Sequence, residues 1–228
     1  MTEPEYKSVS ILCAAAAHGD QFWSLPQTPV STSDWQSPDP LGALMLRLTE
    51  SVLGGIQTAT LPQSFADIAL ILGTTRGCPQ SDWEFDRSRR EAGGRYASPA
   101  AFARTLPSTI PAELSVKLRL TGPMLTLCAG SASTAVALRR AISWMKHMRL
   151  RACIAGGFDA SSPEDLRGAI VLLAPVDEAA IGYLHATASP PVDLACDRDL
   201  SLDQLINWIR QPRPLQLSGG IHLEPAER

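Results

Sequence analysis

The sequence has few of the residues from which metal sites and disulfide frameworks are built. It contains four histidines, and no two of them lie at metal-ligand spacing, so a metalloenzyme is not expected. Its five cysteines are scattered without a CxxC pair, which argues for reduced thiols rather than disulfides or a zinc site. The phosphate-binding patterns GxxxxGK[ST] and GxGxxG are also absent. We therefore expect no metal and no other cofactor.

Long apolar runs and a surplus of one charge are missing as well. No apolar run approaches about 18 residues, so the sequence predicts no transmembrane helix, and its acidic start, MTEPEYK, is unlike a signal peptide. The net charge of −3 gives no indication of nucleic-acid binding. With 45% hydrophobic and 19% charged residues, we expect a soluble, cytoplasmic globular protein that binds neither membranes nor nucleic acids.

What the chain does contain is an alternation of short apolar runs and amphipathic stretches. The runs that predict strands are residues 8–17, 67–73, 124–128, 152–155, 168–173 and 180–186. The stretches that predict helices are residues 41–53, 81–91, 133–148 and 202–210. Residues 21–40 contain four prolines and predict a loop. Because strands and helices alternate through the middle of the chain, we expect the α/β class with a mainly parallel sheet.

The last forty residues differ in composition from the rest. Residues 189–228 contain five prolines and a single short helical stretch. We therefore expect one domain over residues 1–188 and a peripheral, proline-rich tail over residues 189–228.

The most informative local unit is a strand, a small-residue turn and a helix over residues 124–148. The turn consists of Ala129, Gly130, Ser131 and Ala132. Such a turn presents one side chain at its apex, at the positive end of the following helix, where the anion of a nucleophile is stabilised. Spacing alone also suits a plain connection between a sheet and a helix, which is the commoner case.

A longer pattern around this turn resembles the N-terminal half of the β-ketoacyl synthases, within the thiolase-like fold. Gly122-Pro123 precedes the strand, an alanine-rich helix follows the turn, and AGGFD at 155–159 ends the next strand. LILGTTRG at 70–77 and the segment 98–123 resemble the family's upstream elements. The resemblance covers roughly residues 65–186. It implies a mixed, mainly parallel, five-stranded sheet flanked by helices, closed by a hairpin over residues 168–186.

Two departures from the family pattern bear on activity. The family has a cysteine at the elbow, whereas this position falls on Ser131, whose hydroxyl needs a general base to act as a nucleophile. Cys128 lies in the predicted strand, where a buried structural cysteine is expected. The histidine pair comes from the family's C-terminal half, and none of the four histidines here sits in a matching motif. A complete condensing site is therefore not expected.

The resemblance is nearest to the small chain-length-factor-like subunits of aryl polyene and pigment biosynthesis, which are inactive partners of a complete ketosynthase. It implies that the strand carrying Met124, Thr126 and Cys128 pairs with the partner subunit. It also implies that Phe102, Leu106 and Ile110 line the acyl channel and limit chain length. The expected function is thus a non-catalytic subunit of a ketosynthase heterodimer in polyketide or fatty-acid-like biosynthesis.

Two other functions stay open at this point. Ser131 could serve an acyltransferase or thioesterase acting on acyl carrier protein thioesters, or it could be a remnant or a helix cap. Alternatively, the chain could be a homodimeric scaffold that binds acyl carrier protein. Arg139 and Arg140 suit docking of an acidic carrier protein, although a solvated helix face is the commoner explanation for such a cluster.

One segment carries conflicting signals. Apolar and polar residues alternate from Leu114 to Leu120, which is strand periodicity. The family resemblance instead implies a helix, with Pro111 in its first turn. We follow the resemblance and expect a helix.

Overall fold

The computed structural model describes residues 9–26, 39–54, 68–148, 150–175, 180–186, 199–218 and 220–226. Its strands are β1 (Val9–His18), β2 (Gln21–Leu25), β3 (Ala69–Gly73), β4 (Met124–Leu127), β5 (Cys153–Ala160), β6 (Leu166–Ala174), β7 (Gly182–Ala186), β8 (Leu215–Leu217) and β9 (Ile221–Pro225). Its helices are α1 (Pro40–Gly54), α2 (Pro79–Glu91), α3 (Pro99–Thr105), α4 (Thr109–Leu118), α5 (Ser133–His147) and α6 (Leu200–Arg210). Among these residues, no helix is both long and apolar enough to cross a lipid bilayer.

All nine described strands join one mixed sheet. Its order is β4-β3-β5-β6-β1-β7-β9-β8, and β2 pairs with β1 beside this path. The predicted α/β class with a mixed sheet is confirmed, but the expected five strands and the mainly parallel arrangement are corrected. Six of the eight strand pairs described are antiparallel, and only β3 with β4 and β3 with β5 run parallel.

Helices cover both faces of this sheet. One apolar layer joins α5 and α6 to the sheet and contains Leu138, Leu205 and Trp208. The opposite layer joins α1 and α4 to the sheet and contains Met45 and Leu114. Side chains of the central strands alternate between the two layers, so both faces are buried and these strands are apolar throughout.

Strand β1 carries an extra residue that changes which face its side chains meet. The pairing of β1 with β6 shifts between Ile11 and Cys13, which marks a β-bulge at Leu12. As a result Ile11 and Ala14 both face the layer of α5 and α6, although they are three residues apart. Beyond the bulge β1 pairs with β2, and before it β1 pairs with β7.

Strand β1 also lies between two strands that were expected to form a closing hairpin. Both β6 and β7 pair with β1, and they do not pair with each other. The loop expected from residue 21 likewise begins with β2, which forms a tight antiparallel hairpin with β1. In both cases the strand partner is non-local, and the pattern of one segment does not reveal it.

The glycine pair at 156–157 was expected to end its strand, but β5 continues through it to Ala160. A Cβ on Gly157 would collide with the hydroxyl of Thr134 in α5, and one on Gly156 would collide with the backbone of Ala169. Gly157 therefore permits close packing of α5 on β5, and Gly156 permits the close approach of the paired strand β6, so the pair does not terminate the strand.

The conflicting segment forms a helix, as the family resemblance implied. Helix α4 has Pro111 in its first turn and is followed by Arg119, whose φ of 55° lies in the left-handed region and terminates the helix. Its residues Ile110 and Leu114 are buried against the sheet.

The expected peripheral tail is corrected for the residues that are described. Helix α6 buries Trp208 and Leu205, and β9 pairs with β7 along five residues. Residues 199–218 and 220–226 are thus part of the core and of the sheet. The prolines suggested a tail because they flank these short elements and obscure their periodicity.

Candidate functional site at the strand-to-helix elbow

The predicted elbow is a corner between β4 and α5. Strand β4 ends at Leu127, residues Gly130–Ala132 form a single 3-10 turn, and α5 begins at Ser133. Gly130 has φ 53°, a conformation that favours glycine, so this residue permits the sharp turn. Ser131 lies at the corner, as the alignment implied, but it is only 7% exposed rather than presented at an open apex.

The turn is held by neighbouring hydroxyl groups and not by Ser131. Ser133 Oγ accepts from the Ala129 N–H at 2.9 Å and donates to the Gly130 carbonyl at 2.8 Å. Thr75, which follows β3, donates to the same carbonyl at 2.7 Å. Within the described residues Ser131 makes no side-chain hydrogen bond, so the expectation that it caps the helix is not met.

Every histidine of the chain is engaged away from the elbow. His18 contacts Asp165 at 2.9 Å, and the ring of His147 is 2.8 Å from the carbonyl of Ser143 in its own helix. His185 and His222 both approach Glu224, at 3.5 and 3.1 Å. All four histidines are described, and none is hydrogen-bonded to Ser131, so the chain supplies no imidazole base to that hydroxyl.

Two buried carboxylates lie around the elbow instead. Asp199, immediately before α6, accepts five hydrogen bonds: from Thr134 N–H and Oγ1, from Ser201 N–H and Oγ, and from Leu202 N–H. It therefore caps α6 and at the same time accepts a hydrogen bond from a backbone N–H in the first turn of α5. Burial raises the pKa of the Asp199 carboxyl, and the donors from Ser201, Thr134 and Leu202 oppose that rise.

The second carboxylate is Asp159 in β5. Its Oδ1 accepts from the Arg76 N–H at 3.2 Å, and its Oδ2 lies 3.9 Å from Arg167 without a hydrogen-bond partner among the described residues. Burial raises the pKa of Asp159 to about 6, and the nearby Asp199 adds to the rise. Arg167 also contacts Asp203 at 3.0 Å, so this cation is shared between carboxylates.

Cys128 differs from the buried structural cysteine that was expected. It follows the end of β4 and is exposed. Partial burial raises the pKa of its thiol, and the charge of Asp159 adds to that effect. The thiol is therefore predominantly protonated at neutral pH, which does not suit a nucleophile.

The pairing strand lies at an edge of the described sheet. Leu70 and Thr74 donate to the carbonyls of Pro123 and Leu127, so these alternate groups face β3. By the alternation of a parallel ladder, the backbone groups of Met124 and Thr126 face away from the sheet. Met124 is 41% exposed, whereas the hydroxyl of Thr126 is buried without a hydrogen-bond partner among the described residues.

The three residues expected to line an acyl channel do not share one surface. Phe102 and Leu106 are about half exposed, and Phe102 packs on Phe85 with ring centroids 5.3 Å apart. Ile110 is 1% exposed and lies in the core layer with α1. Only Phe102 and Leu106 are thus available to a partner, whereas Ile110 packs α4 onto the core.

The two arginines of α5 also differ from each other. Arg139 is half-buried and donates to the Gly220 carbonyl at 2.8 Å, which ties α5 to the turn before β9. Arg140 is exposed and lines a groove of about 290 Å³ together with Lys146 and His147. Arg139 is therefore a structural residue, and Arg140 remains a candidate contact for an acidic partner.

Sequence reasoning missed Asp199, which connects two helices at this site. An aspartate before the periodic stretch 202–210 is a recognisable helix N-cap signal. Its second set of contacts, to Thr134, joins residues 65 positions apart and has no local signal.

The comparisons with known proteins agree with this architecture. The sequence matches the family model described as β-ketoacyl synthase, N-terminal domain, over residues 28–171. A comparison with curated protein sequences gives no match.

Solved structures with a similar fold include ketosynthase complexes. One is the ketosynthase ApeO in complex with its chain length factor ApeC from Xenorhabdus doucetiae, with 16% identity, a TM-score of 0.62, and coverage of 95% of this chain and 98% of that chain. A second is AntDE:AntF, a type II PKS acyl-carrier protein in complex with its ketosynthase bound to the hexaketide. It has 12% identity and a TM-score of 0.64, with coverage of 78% of this chain and 67% of that chain. A third is the ishigamide ketosynthase/chain length factor, at 15% identity and a TM-score of 0.57, with coverage of 80% of this chain and 68% of that chain.

At such identities these neighbours establish the fold, and the family match establishes the lineage. The match spans more than half of the 228 residues and includes β3, β4, the elbow, α5 and β5. The expected thiolase-like fold is confirmed, and the chain belongs to the β-ketoacyl synthase family.

Proposed function

We propose that this chain is a non-catalytic subunit of the chain-length-factor type, which pairs with a complete β-ketoacyl synthase in polyketide, fatty-acid-like or aryl polyene biosynthesis. The observation that carries the proposal is the elbow: a buried Ser131 without a hydrogen-bonded base stands where the family has its cysteine. A serine hydroxyl without a base is a poor nucleophile. This chain thus keeps the family's fold but lacks the cysteine on which the family's chemistry depends.

The edge strand β4 supports a pairing role. Its outward backbone groups at Met124 and Thr126 are arranged to accept another strand, which would continue the sheet into a partner subunit. Exposed apolar side chains lie on elements near this edge: Ser115 of α4 contacts Met124, and Val116 is 81% exposed. An exposed edge beside exposed apolar residues is a typical interaction surface.

The relatives' complexes are consistent with such a partner. The ApeO ketosynthase and the ishigamide ketosynthase are each found with a chain length factor, and the AntDE ketosynthase is found with an acyl-carrier protein. Carried over to this chain, Phe102 and Leu106 would narrow the end of the partner's acyl channel. Arg140 would contact the acidic carrier protein.

Co-expression with a complete β-ketoacyl synthase from the same organism tests the proposal. We expect a stable heterodimer by light scattering after size-exclusion chromatography. The variant Thr126→Pro removes an N–H that faces away from the sheet and places a ring on the pairing edge, so it should abolish the heterodimer while the chain stays folded. The variant Thr126→Val keeps the backbone and the shape of the side chain and should leave pairing intact.

The outcomes separate this function from the alternatives. No complex with the ketosynthase, together with an unchanged product length when the chain is deleted, would rule out the proposed role. A homodimer that forms through β4 in the absence of a ketosynthase would favour the carrier-protein scaffold. A covalent acyl adduct that disappears in Ser131→Ala would favour the serine-dependent acyltransferase or thioesterase.

A further inference from the structure

We propose that Asp199 keeps the elbow electrostatically inert, because its carboxylate occupies the N-terminal end of α5 that a nucleophile elbow relies on for its positive potential. The inference concerns the elbow of this chain alone and goes beyond the proposed pairing with a ketosynthase. It makes Asp199 a positioning residue that acts through helix α5.

The geometry at the start of α5 carries the inference. Asp199 Oδ2 accepts from both the backbone N–H and the hydroxyl of Thr134, at 2.8 Å each. Ser201 Oγ accepts from the next N–H, that of Ala135, at 3.0 Å. Two of the N–H groups that normally give a helix its positive end are therefore bonded to residues of the α6 segment.

The charge of Asp199 strengthens this effect. The residue is fully buried, and its five hydrogen-bond partners all donate, which is the arrangement of an ionised carboxylate. A full negative charge at a helix N-terminus outweighs the positive end, which is equivalent to roughly half an elementary charge. The turn Gly130–Ala132 lies against α6 and so experiences this charge.

Asp159 adds a second carboxylate on the β5 side of the elbow, and Arg167, 3.9 Å from its Oδ2, offsets part of its charge. Its effect on its surroundings is visible at Cys128, where it contributes to the raised thiol pKa. The corner thus has an environment opposite to that required by a thiolate or an oxyanion. Restoring a cysteine at position 131 would therefore not restore a reactive thiol.

A titration of an introduced thiol tests the inference on the full-length chain. The starting variant is Cys128→Ser, which removes the exposed thiol nearby, and Ser131→Cys is added to it. The pKa of the new thiol is measured from the ultraviolet absorbance of the thiolate, as a difference from the Cys128→Ser parent, so no reagent has to reach the buried site. We expect a pKa at or above the ordinary cysteine value of about 8.5.

Adding Asp199→Asn removes the charge and keeps one oxygen, which can accept the Thr134 hydrogen bonds, while the amide NH2 takes the place of the oxygen that faces Ser201 and can donate to the Ser201 hydroxyl. We expect the thiol pKa to fall by about one unit, which raises the thiolate fraction at pH 7 about tenfold. The matched control is Asp39→Asn, which alters another buried N-cap carboxylate, at α1 in the opposite layer. It should leave the thiol pKa unchanged.

The proposal is overturned by either of two results: a thiol pKa well below 8.5 with Asp199 intact, or a folded Asp199→Asn variant whose thiol pKa does not fall. Near-ultraviolet circular dichroism reports whether each variant is folded. If Asp199→Asn does not fold, Asp199→Ser, which retains a capping oxygen without charge, gives the same comparison.

Discussion

The described sheet ends in β4 on one side and in β8 on the other, and the two edges meet their surroundings differently. Pro212 and Pro214 precede β8, which is three residues long and carries the exposed, polar Gln216 in its middle. After the strand, the backbone N–H of Ser218 donates to the side chain of Gln204. Prolines and short length are common ways of protecting an edge from further pairing. Strand β4 is also short and follows Pro123, but the carbonyl of this proline is bonded to β3, and the strand presents an exposed Met124 and alternate backbone groups outward.

This difference indicates that one edge is closed and the other is suited to pairing. The closed end also carries α6, whose Trp208 packs close to Gly182 of β7. Substitutions at the closed end should therefore lower stability, whereas substitutions at the open end should affect assembly.

Replacing Trp208 with alanine should destabilise the fold most. The side chain is 1% exposed, and removal of a fully buried tryptophan typically costs about 3–5 kcal/mol of unfolding free energy. For a chain of this size the melting temperature should fall by roughly 10 °C, as measured by calorimetry. The matched control is Leu200→Ala in the same helix, where the side chain is 45% exposed and the change should stay within about 0.5 kcal/mol. A loss at Trp208 as small as that expected at Leu200 would contradict the anchoring of α6 through Trp208.

Placing a lysine on each edge should affect pairing at one of them only. Met124→Lys puts a charge that must be desolvated into the proposed interface, so we expect at least a tenfold weaker heterodimer in a titration with the purified ketosynthase. Gln216→Lys puts the same group on β8 and should leave the dissociation constant unchanged. If the β8 variant weakened binding as much as the β4 variant, the assignment of the open edge would be wrong.

The carboxyl of Asp159, beside the elbow, should make the free energy of unfolding depend on pH. Its pKa is raised from 3.8 to about 6 in the folded chain, so the folded state holds this proton more tightly than the unfolded state. The stabilising contribution is complete below about pH 4 and is lost as the pH rises through about 6. We expect a contribution on the order of 1–3 kcal/mol to the free energy of unfolding, measured by urea denaturation at several pH values. In a plot of that free energy against pH, the slope between about pH 4 and 6 should differ between the wild type and Asp159→Asn. Identical slopes for the two proteins would contradict the raised pKa.

The smallest effect concerns the exposed arginine of α5. Arg140→Glu should leave the unfolding free energy within about 0.5 kcal/mol but weaken carrier-protein binding several-fold, with less loss at high salt. Arg213→Glu is the control, because this residue is also exposed but precedes the closed edge. Equal losses for both variants would indicate a general charge effect and not a site on α5.

How far the sequence predicts the structure depends on whether the deciding interactions are local. The spacing of apolar residues predicts α1 and α5, and a continuous apolar run predicts β3, because burial alone determines these patterns. Strands β2, β8 and β9 are short and lie near prolines, so they show no clear period. Helix α4 shows the opposite case, since its alternating residues favour a strand and tertiary packing of Ile110 and Leu114 decides for a helix.

The candidate site divides in the same way. The position of Ser131 at the corner follows from the small residues around it, which have a local signal. Its burial, the exposure of Cys128 and the burial of Ile110 depend on which elements pack above them. The contact of Asp199 with Thr134 depends on the return of the chain to α5 and is beyond any local pattern.

The bulge at Leu12 has a consequence for how much change β1 can accept. Because the inserted residue alters the phase of the strand, Val9 and Ile11 face the same layer as Ala14 and Ala16. Deleting Leu12 would leave the facing of both halves of the strand unchanged, because Ile11 and Cys13 already pair with the consecutive residues Leu173 and Leu172 of β6. The cost of the deletion would be the loss of the buried Leu12 side chain from the opposite layer. The strand that joins β2, β6 and β7 can therefore lose a residue at Leu12 and keep its register on both sides, whereas the loss of a paired residue would shift that register.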